Sequence, residues 1–241
     1  MNAVAPCWRR WFSPHGYWTQ VPVCLVQRHL RTAFARWGRP QSFQVDNGAP
    51  WGSWSDLPTD LALWLIGLDI AMFWIPPRSP QDNGVVERSQ GTGKRWAEPQ
   101  ACASVAELQQ RLAAMDRIQR EAYPVKQGRS RLEVYPQLRH SGRPYTRAWE
   151  KQHWNLDRVL AHLTEYVVTR RVDKTGQVSL YNRNHYVGTL HAGKTVYVLF
   201  DPQQHEWIFA DEQQHELRRK PASYLNRESI IDLAVTHRVT K

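Results

Sequence analysis

The chain has 241 residues, about two fifths of them apolar and twelve of them tryptophan, with a formal net charge of +10. That length and composition allow one full domain and a smaller second one and exclude an intrinsically disordered chain. No apolar run reaches the ~18 residues of a membrane span, so no membrane partner is expected. The positive balance, rich in arginine, points to a polyanionic partner, since each phosphate neutralised releases condensed counterions. A GC-rich genome, whose proteins are rich in arginine, would give the same balance. Residues 1–45 hold Arg9, Arg10, Arg28, Arg31, Arg36 and Arg39 and no acid at all. Cys7, Cys24 and Cys102 lack metal-ligand spacing and read as reduced thiols.

Residues 1–20 read as irregular, without the continuous apolar stretch of a signal peptide. From Pro22, Val23, Val26, Leu30, Phe34 and Trp37 fall on one helical face, and Gly38 with Pro40 closes the helix. Ser42 to Val45 predicts a short strand ending at Asp46, followed by an Asn47-Gly48 turn. Leu61 to Leu68 predicts a buried helix, and Ile70 to Ile75 a strand stopped by Pro76-Pro77. A helix carrying Glu87 is expected near Val85. Ser104 and Glu107 form a capping box opening another, with Leu108, Leu112, Met115 and Ile118 as its buried face. Helices alternating with strands predict an α/β domain over residues 1–124.

Residues 125–165 read as a basic linker, including Lys126, Arg129, Arg131, Arg139, Arg143 and Arg147, and a short helix from Asn155 to Leu163. Residues 166–220 change to short strands (Tyr166–Val172, Val178–Tyr181, Tyr186–Val187, Thr195–Phe200 and Trp207–Ala210) separated by Gly, Asn and Asp turns. Such strands predict a small β-barrel. Residues 221–241 remain as a C-terminal tail.

Two carboxylates stand where regular elements meet turns: Asp46 at a strand end and Glu87 early in a helix. That placement lets distant parts of the chain supply one divalent-metal site of the kind phosphodiester chemistry uses. Singly, each is ordinary: Asp-Asn-Gly is a common turn, and a glutamate in a first helical turn complements the dipole. Lys94 lies seven residues after Glu87, almost two turns, so both project from one face; it is a candidate phosphate contact or a solvated lysine. Trp51 and Trp54 could stack on unpaired bases or pack against the fold.

Together, Gly38-Arg39-Pro40 … Val45-Asp46-Asn47-Gly48, Trp74-Ile75-Pro76-Pro77 and Pro80-Gln81-Asp82-Asn83-Gly84-Val85-Val86-Glu87-Arg88 closely resemble the integrase core of DDE-type transposases and retroviral-like integrases. The likeness covers residues 20–124, including Gln90 to Trp96. The barrel segment, from Gly176 through Tyr186-Val187-Gly188 to Asp201, resembles the β-domain of Mu-like transposases. The resemblance implies an α/β fold: an RNase H-like core followed by a small all-β SH3-like barrel. It implies DNA cleavage and strand transfer with two Mg²⁺ or Mn²⁺ ions, Asp46 and Glu87 as metal ligands, and Lys94, Arg88, Gln90 and Asn83 as DNA contacts. The basic linker adds Arg129 and Arg131. Double-stranded DNA (element ends and target) and further copies of the chain are the implied partners, and a cytoplasmic, nucleoid-associated bacterial setting is implied.

The family also places an aspartate on an opening strand, and here no acid precedes Asp46. Asp56, Asp60, Asp69 and Asp82 follow it, out of topological order. The first strands are therefore expected to be missing, leaving a truncated copy that is inactive or impaired. Two other readings stand beside this one. A non-catalytic DNA-binding protein could regulate transposition by occupying element ends or forming inactive multimers. A metal-dependent nuclease on the same fold would need the absent aspartate too.

Overall fold

The computed structural model describes residues 22–52, 56–78 and 84–233, apart from the side chains of Val85, Val86, Glu87, Ser89 and Gln90. The expectations for residues 1–20 and for Trp54, Asp82 and Asn83 lie outside the described residues, as does part of the tail.

Helix α1 (Val23–Trp37) follows the predicted spacing: Phe34 is buried and Val26 and Leu30 pack against the core. Its end is set by Gly38, whose N–H donates to Phe34 O at 2.8 Å with φ at +78°. A Cβ at Gly38 would stand 2.3 Å from Ser141 Oγ and 2.9 Å from Arg143 O, so glycine is required twice over. Between the apolar positions sits Gln27, buried, its Nε2 donating to Ile231 O and its Oε1 accepting from Leu233 N. Apolar periodicity does not reveal that residue.

Strands β1 (Ser42–Val45) and β2 (Ala71–Trp74) pair in parallel, Ser42 opposite Ala71 and Val45 opposite Trp74. Helix α2 (Asp60–Gly67) makes the crossover that a parallel pair needs. Thr59 caps it, its hydroxyl accepting from Ala62 N. Leu61 to Gly67 are all buried, as expected of a helix apolar on every side. Against it lie β2, α7 (Leu156–Leu163) and α8 (Arg227–Ile231). At its last residue, Asn155 N donates to Gly67 O at 3.0 Å.

Helices α3 (Gly84–Ala97) and α4 (Val105–Glu121) form a hairpin. The Ser104 cap is present: its hydroxyl accepts from Glu107 N at 3.1 Å, and Glu107 Oε2 accepts from Ala103 N at 2.8 Å. The predicted buried face of α4 is not buried. No residue of α4 is in the core, and Leu112 and Ile118 remain 39% and 43% exposed. The repeat correctly marks an apolar face, but α3 covers only one side of it, near Gly93 and Met115. A period reports that a face is apolar and not that a partner lies against it.

The basic stretch read as a linker holds more structure than expected. A small hairpin, β3 (Pro124–Lys126) with β4 (Arg129–Ser130), leads into the single turn α5 (Arg131–Val134). The predicted helix is α7. Before it stands an unpredicted one, α6 (Arg147–His153), capped by Thr146, whose hydroxyl accepts from Trp149 N at 3.0 Å. Tyr145, Glu150, Trp154, Val159, Leu160 and Leu163 are buried.

The β segment comprises β5 (Val168–Arg171), β6 (Gln177–Leu180), β7 (Arg183–Tyr186), β8 (Thr195–Asp201), β9 (Glu206–Ala210) and β10 (Glu216–Pro221). A closed ring is not formed among the described residues. An antiparallel sheet runs β10-β9-β8-β5, and β6–β7 is a separate hairpin. The hairpin faces the sheet through Tyr181 near Trp207 (ring centroids 6.2 Å apart) and His185 near Phe209 (5.9 Å). The strand β10 escaped prediction because its sequence, Glu-Leu-Arg-Arg-Lys-Pro, is that of a charged edge strand. One apolar cluster runs without a break from Phe34 through α2 to the β sheet and Leu233, so the described protein is mixed α/β around a shared core.

Candidate functional site

The parallel pair has one end at which both strands finish, and open α/β sheets bind ligands outside that carboxyl end. Asp46 is the first residue past β1 there, and its side chain is exposed. Its Oδ1 accepts from Gly48 N at 3.1 Å, the side-chain-closed turn that Asx residues favour. Two bonds tie this turn to the chain leaving β2. Ile75 N donates to Val45 O at 2.9 Å, and Asn47 Nδ2 donates to Ile75 O at 2.7 Å. The buried Oδ1 of Asn47 has no hydrogen-bond partner among the described residues.

The chain that leaves this end through Pro76 and Pro77 goes on to α3, where Glu87 occupies the opening turn. Its carboxylate lies outside the described side chains. Two turns on, Lys94 is exposed in the last turn of α3 and makes no ion pair among the described residues. Arg88 is exposed as well; its carbonyl accepts from Thr92 Oγ1 at 2.9 Å. Arg129 and Arg131 are exposed at the β4–α5 junction, Arg129 Nη2 donating to Glu133 O at 2.7 Å.

Trp51 is a packing residue. It is partly buried, its ring stands 5.8 Å from that of Phe43, and its carbonyl accepts from Trp74 Nε1 at 3.1 Å. That bond helps hold the loop after Asp46 against β2.

A divalent ion in this place needs hard oxygen ligands. Asp46 fits that need, with an exposed carboxylate of which, among the described residues, only Oδ1 is engaged. Two acids that follow it in the sequence serve the fold: Asp56 pairs with Arg170, and Asp69, at the opposite end of the strand pair, pairs with Arg143 at 2.6 Å. Among the described residues, in which the Glu87 carboxylate is not counted, no group of three or more His, Cys, Asp and Glu could hold a metal ion. No described helix is long and apolar enough to cross a membrane.

The sequence marks Arg36 and Arg139 only as parts of two basic stretches and does not single out Arg120, yet the fold gathers the three around one cleft. Only the general excess of positive charge hinted at them, because they come from three separate elements. No known protein-family model matches the chain.

Proposed function

We propose that this chain is a DNA transposition or integration protein of the DDE polynucleotidyl-transferase type, with an RNase H-like core and an SH3-like β-domain. The observation that carries the reading is Asp46, exposed at the carboxyl end of a parallel strand pair and tied through Asn47 and Ile75 to the chain that leads to Glu87.

Asp46 and Glu87 would hold Mg²⁺ or Mn²⁺. The ions would supply charge neutralisation and an activated oxygen at a scissile phosphate. Lys94, exposed and without a carboxylate partner among the described residues, steadies the phosphate of the strand being handled. Arg88, Gln90, Asn83, Arg129 and Arg131 add DNA contacts, and the charge of the three arginines draws the duplex in. These 241 residues contain no acid before Asp46, so by themselves they supply two of three carboxylates and bind DNA without joining it. The open apolar face of α4 suits association with further copies. A cytoplasmic, nucleoid-associated setting follows from a DNA partner.

The acid-free stretch 1–45 also favours a second reading, a non-catalytic DNA-binding protein that occupies element ends or forms inactive multimers. One experiment separates the two. The purified chain is mixed with a pre-cut duplex end, target DNA and Mn²⁺, and both retardation and joined product are scored. Salt-sensitive retardation without product is expected. Weak Mn²⁺ binding by calorimetry, abolished in Asp46→Asn and in Glu87→Gln, supports the DDE reading, and its absence leaves the binding-protein reading. Joined product would overturn the expected inactivity, and no retardation at low salt would overturn both.

A further inference from the structure

A concave surface of about 620 Å³ opens between the carboxyl ends of α1 and α4 and the single turns that follow β4. Three guanidinium groups from three elements line it: Arg36 of α1, Arg120 of α4, and Arg139 at the end of the 3₁₀ turn Pro136–Arg139. We infer that this cleft is a binding site for the phosphodiester backbone of duplex DNA, with Arg36, Arg120 and Arg139 as its ligating groups. The inference rests on the proposed DNA partner but concerns a site apart from Asp46 and Glu87.

Arg36 and Arg120 are held in place without being neutralised. Trp37 has the Arg36 guanidinium 4.8 Å from its ring centroid and that of Arg120 at 5.2 Å, within cation–π range. Arg120 Nη2 also donates to Leu138 O at 2.8 Å. None of the three makes an ion pair with a carboxylate among the described residues, although two glutamates line the same cleft. Glu133 is turned to another task. Its Oε2 accepts from Ser130 N at 2.6 Å, and that backbone bond holds its carboxyl below the usual glutamate range. Glu121 remains the other acid, so positive charge exceeds negative.

Helix electrostatics accounts for part of the pattern. Arg36 and Arg120 sit in the last turns of their helices, where a cation complements the dipole by roughly 0.3–1 kcal/mol. That does not explain Arg139, which belongs to no α-helix, or why all three meet over one hollow. Guanidinium groups offer paired N–H donors that match phosphate oxygens, and stacking on an indole fixes their direction beforehand. A strand backbone suits the place better than a lone anion, because Lys126, Arg129 and Arg131 continue the charge, exposed, along the chain beside it.

The test uses the whole chain and a labelled duplex, with affinity measured over a range of salt. The variant carries Arg36→Gln, Arg120→Gln and Arg139→Gln together. Loss of three phosphate contacts should lower the slope of log affinity against log salt by about 2.7, at ~0.9 per contact. On the unaltered protein, arginine modification by phenylglyoxal, read by mass spectrometry, gives a second readout that does not depend on how the variant folds. Duplex DNA should protect Arg36, Arg120 and Arg139 and leave Arg218 of β10 reactive. Unprotected cleft arginines in a protein that still binds DNA would overturn the inference and leave the proposed function standing, as would an unchanged slope. Protection by inorganic phosphate with no effect of the substitutions on duplex binding would also overturn it. An unaltered protein that binds no DNA would sink both.

Discussion

Arg31 and Glu150, separated by 119 residues, meet as a two-point ion pair: Arg31 Nε donates to Glu150 Oε2 at 3.1 Å and Nη2 to Oε1 at 2.8 Å. Glu150 is completely buried, and Trp64 Nε1 donates to the same Oε1 at 2.8 Å while Tyr145 OH donates to Oε2. Arg31 reaches on to Ile231 O and Asp232, and Arg147 spans Glu150 and Asp232. One carboxylate thus joins α1, α2, α6 and the end of α8. A buried charge is tolerated only when so fully paired.

Removing either partner leaves the other charge uncompensated, which costs about 3–5 kcal/mol for a buried pair. Arg31→Ala and Glu150→Ala should each lower the urea midpoint strongly, and the double variant should cost clearly less than their sum. A coupling within ~0.5 kcal/mol of zero would show that the two residues act independently.

The same cluster makes stability fall in acid. Burial alone would push the Glu150 carboxyl up, but hydrogen bonds from Arg31, Tyr145 and Trp64 outweigh it and leave the group below its ordinary range. A folded-state value below the unfolded one means that the contribution is fully present above the unfolded value of about 4.3 and fades as pH falls through the folded value. Asp173, Asp201 and Asp211 are depressed too, so total acid sensitivity does not isolate Glu150. The gap in unfolding free energy between the natural protein and Glu150→Gln should therefore shrink from pH 6 toward pH 3. A constant gap would refute the assignment.

At Gly67 a Cβ would lie 2.2 Å from Trp154 Cε2 and Nε1. That indole is buried and its Nε1 donates to Trp64 O at 3.0 Å, so it cannot swing away without breaking a bond. Gly67→Ala must separate α2 from the α6–α7 corner. A loss of about 1–3 kcal/mol or more is expected by chemical denaturation.

Gly91 is the opposite case. It lies inside α3, and among the described residues nothing stands within 4 Å of where its Cβ would be. Gly91→Ala should stabilise that helix by up to about 1 kcal/mol, seen as slower amide exchange across α3. Unchanged or faster exchange would mean that the glycine serves a contact of its own.

Lys94 tests the proposed phosphate role directly. It is exposed and unpaired among the described residues, so Lys94→Gln should leave stability within about 0.5 kcal/mol. If it grips one phosphate, the salt slope of DNA binding should drop by ~0.9. An unchanged slope would return it to a solvated lysine.

The candidate site was legible where its signals are local. Asp46 after a short strand, the Asn-Gly turn, and a helix carrying Glu87 and Lys94 all stand in the sequence within a few residues of what defines them. Trp51 was not decided there, because whether a tryptophan stacks on a ligand or on Phe43 depends on a strand partner. Helix α6 was obscured by the arginines and prolines around it, although Thr146 is an ordinary cap. Strand β10 has only Leu217 to mark it, and it exists because β9 offers an edge.

By itself the sequence determined the type and order of most elements, the Ser104 cap and the excess of positive charge, because each depends on neighbours a turn or a pleat away. Only the tertiary structure decided that a charged residue, Glu150, and an amide, Gln27, are interior while Leu112 and Ile118 are not. The physical reason is that burial is a property of meetings. Glu150 can be interior because Arg31, Trp64 and Tyr145 arrive to satisfy it, and no pattern local to residue 150 announces them.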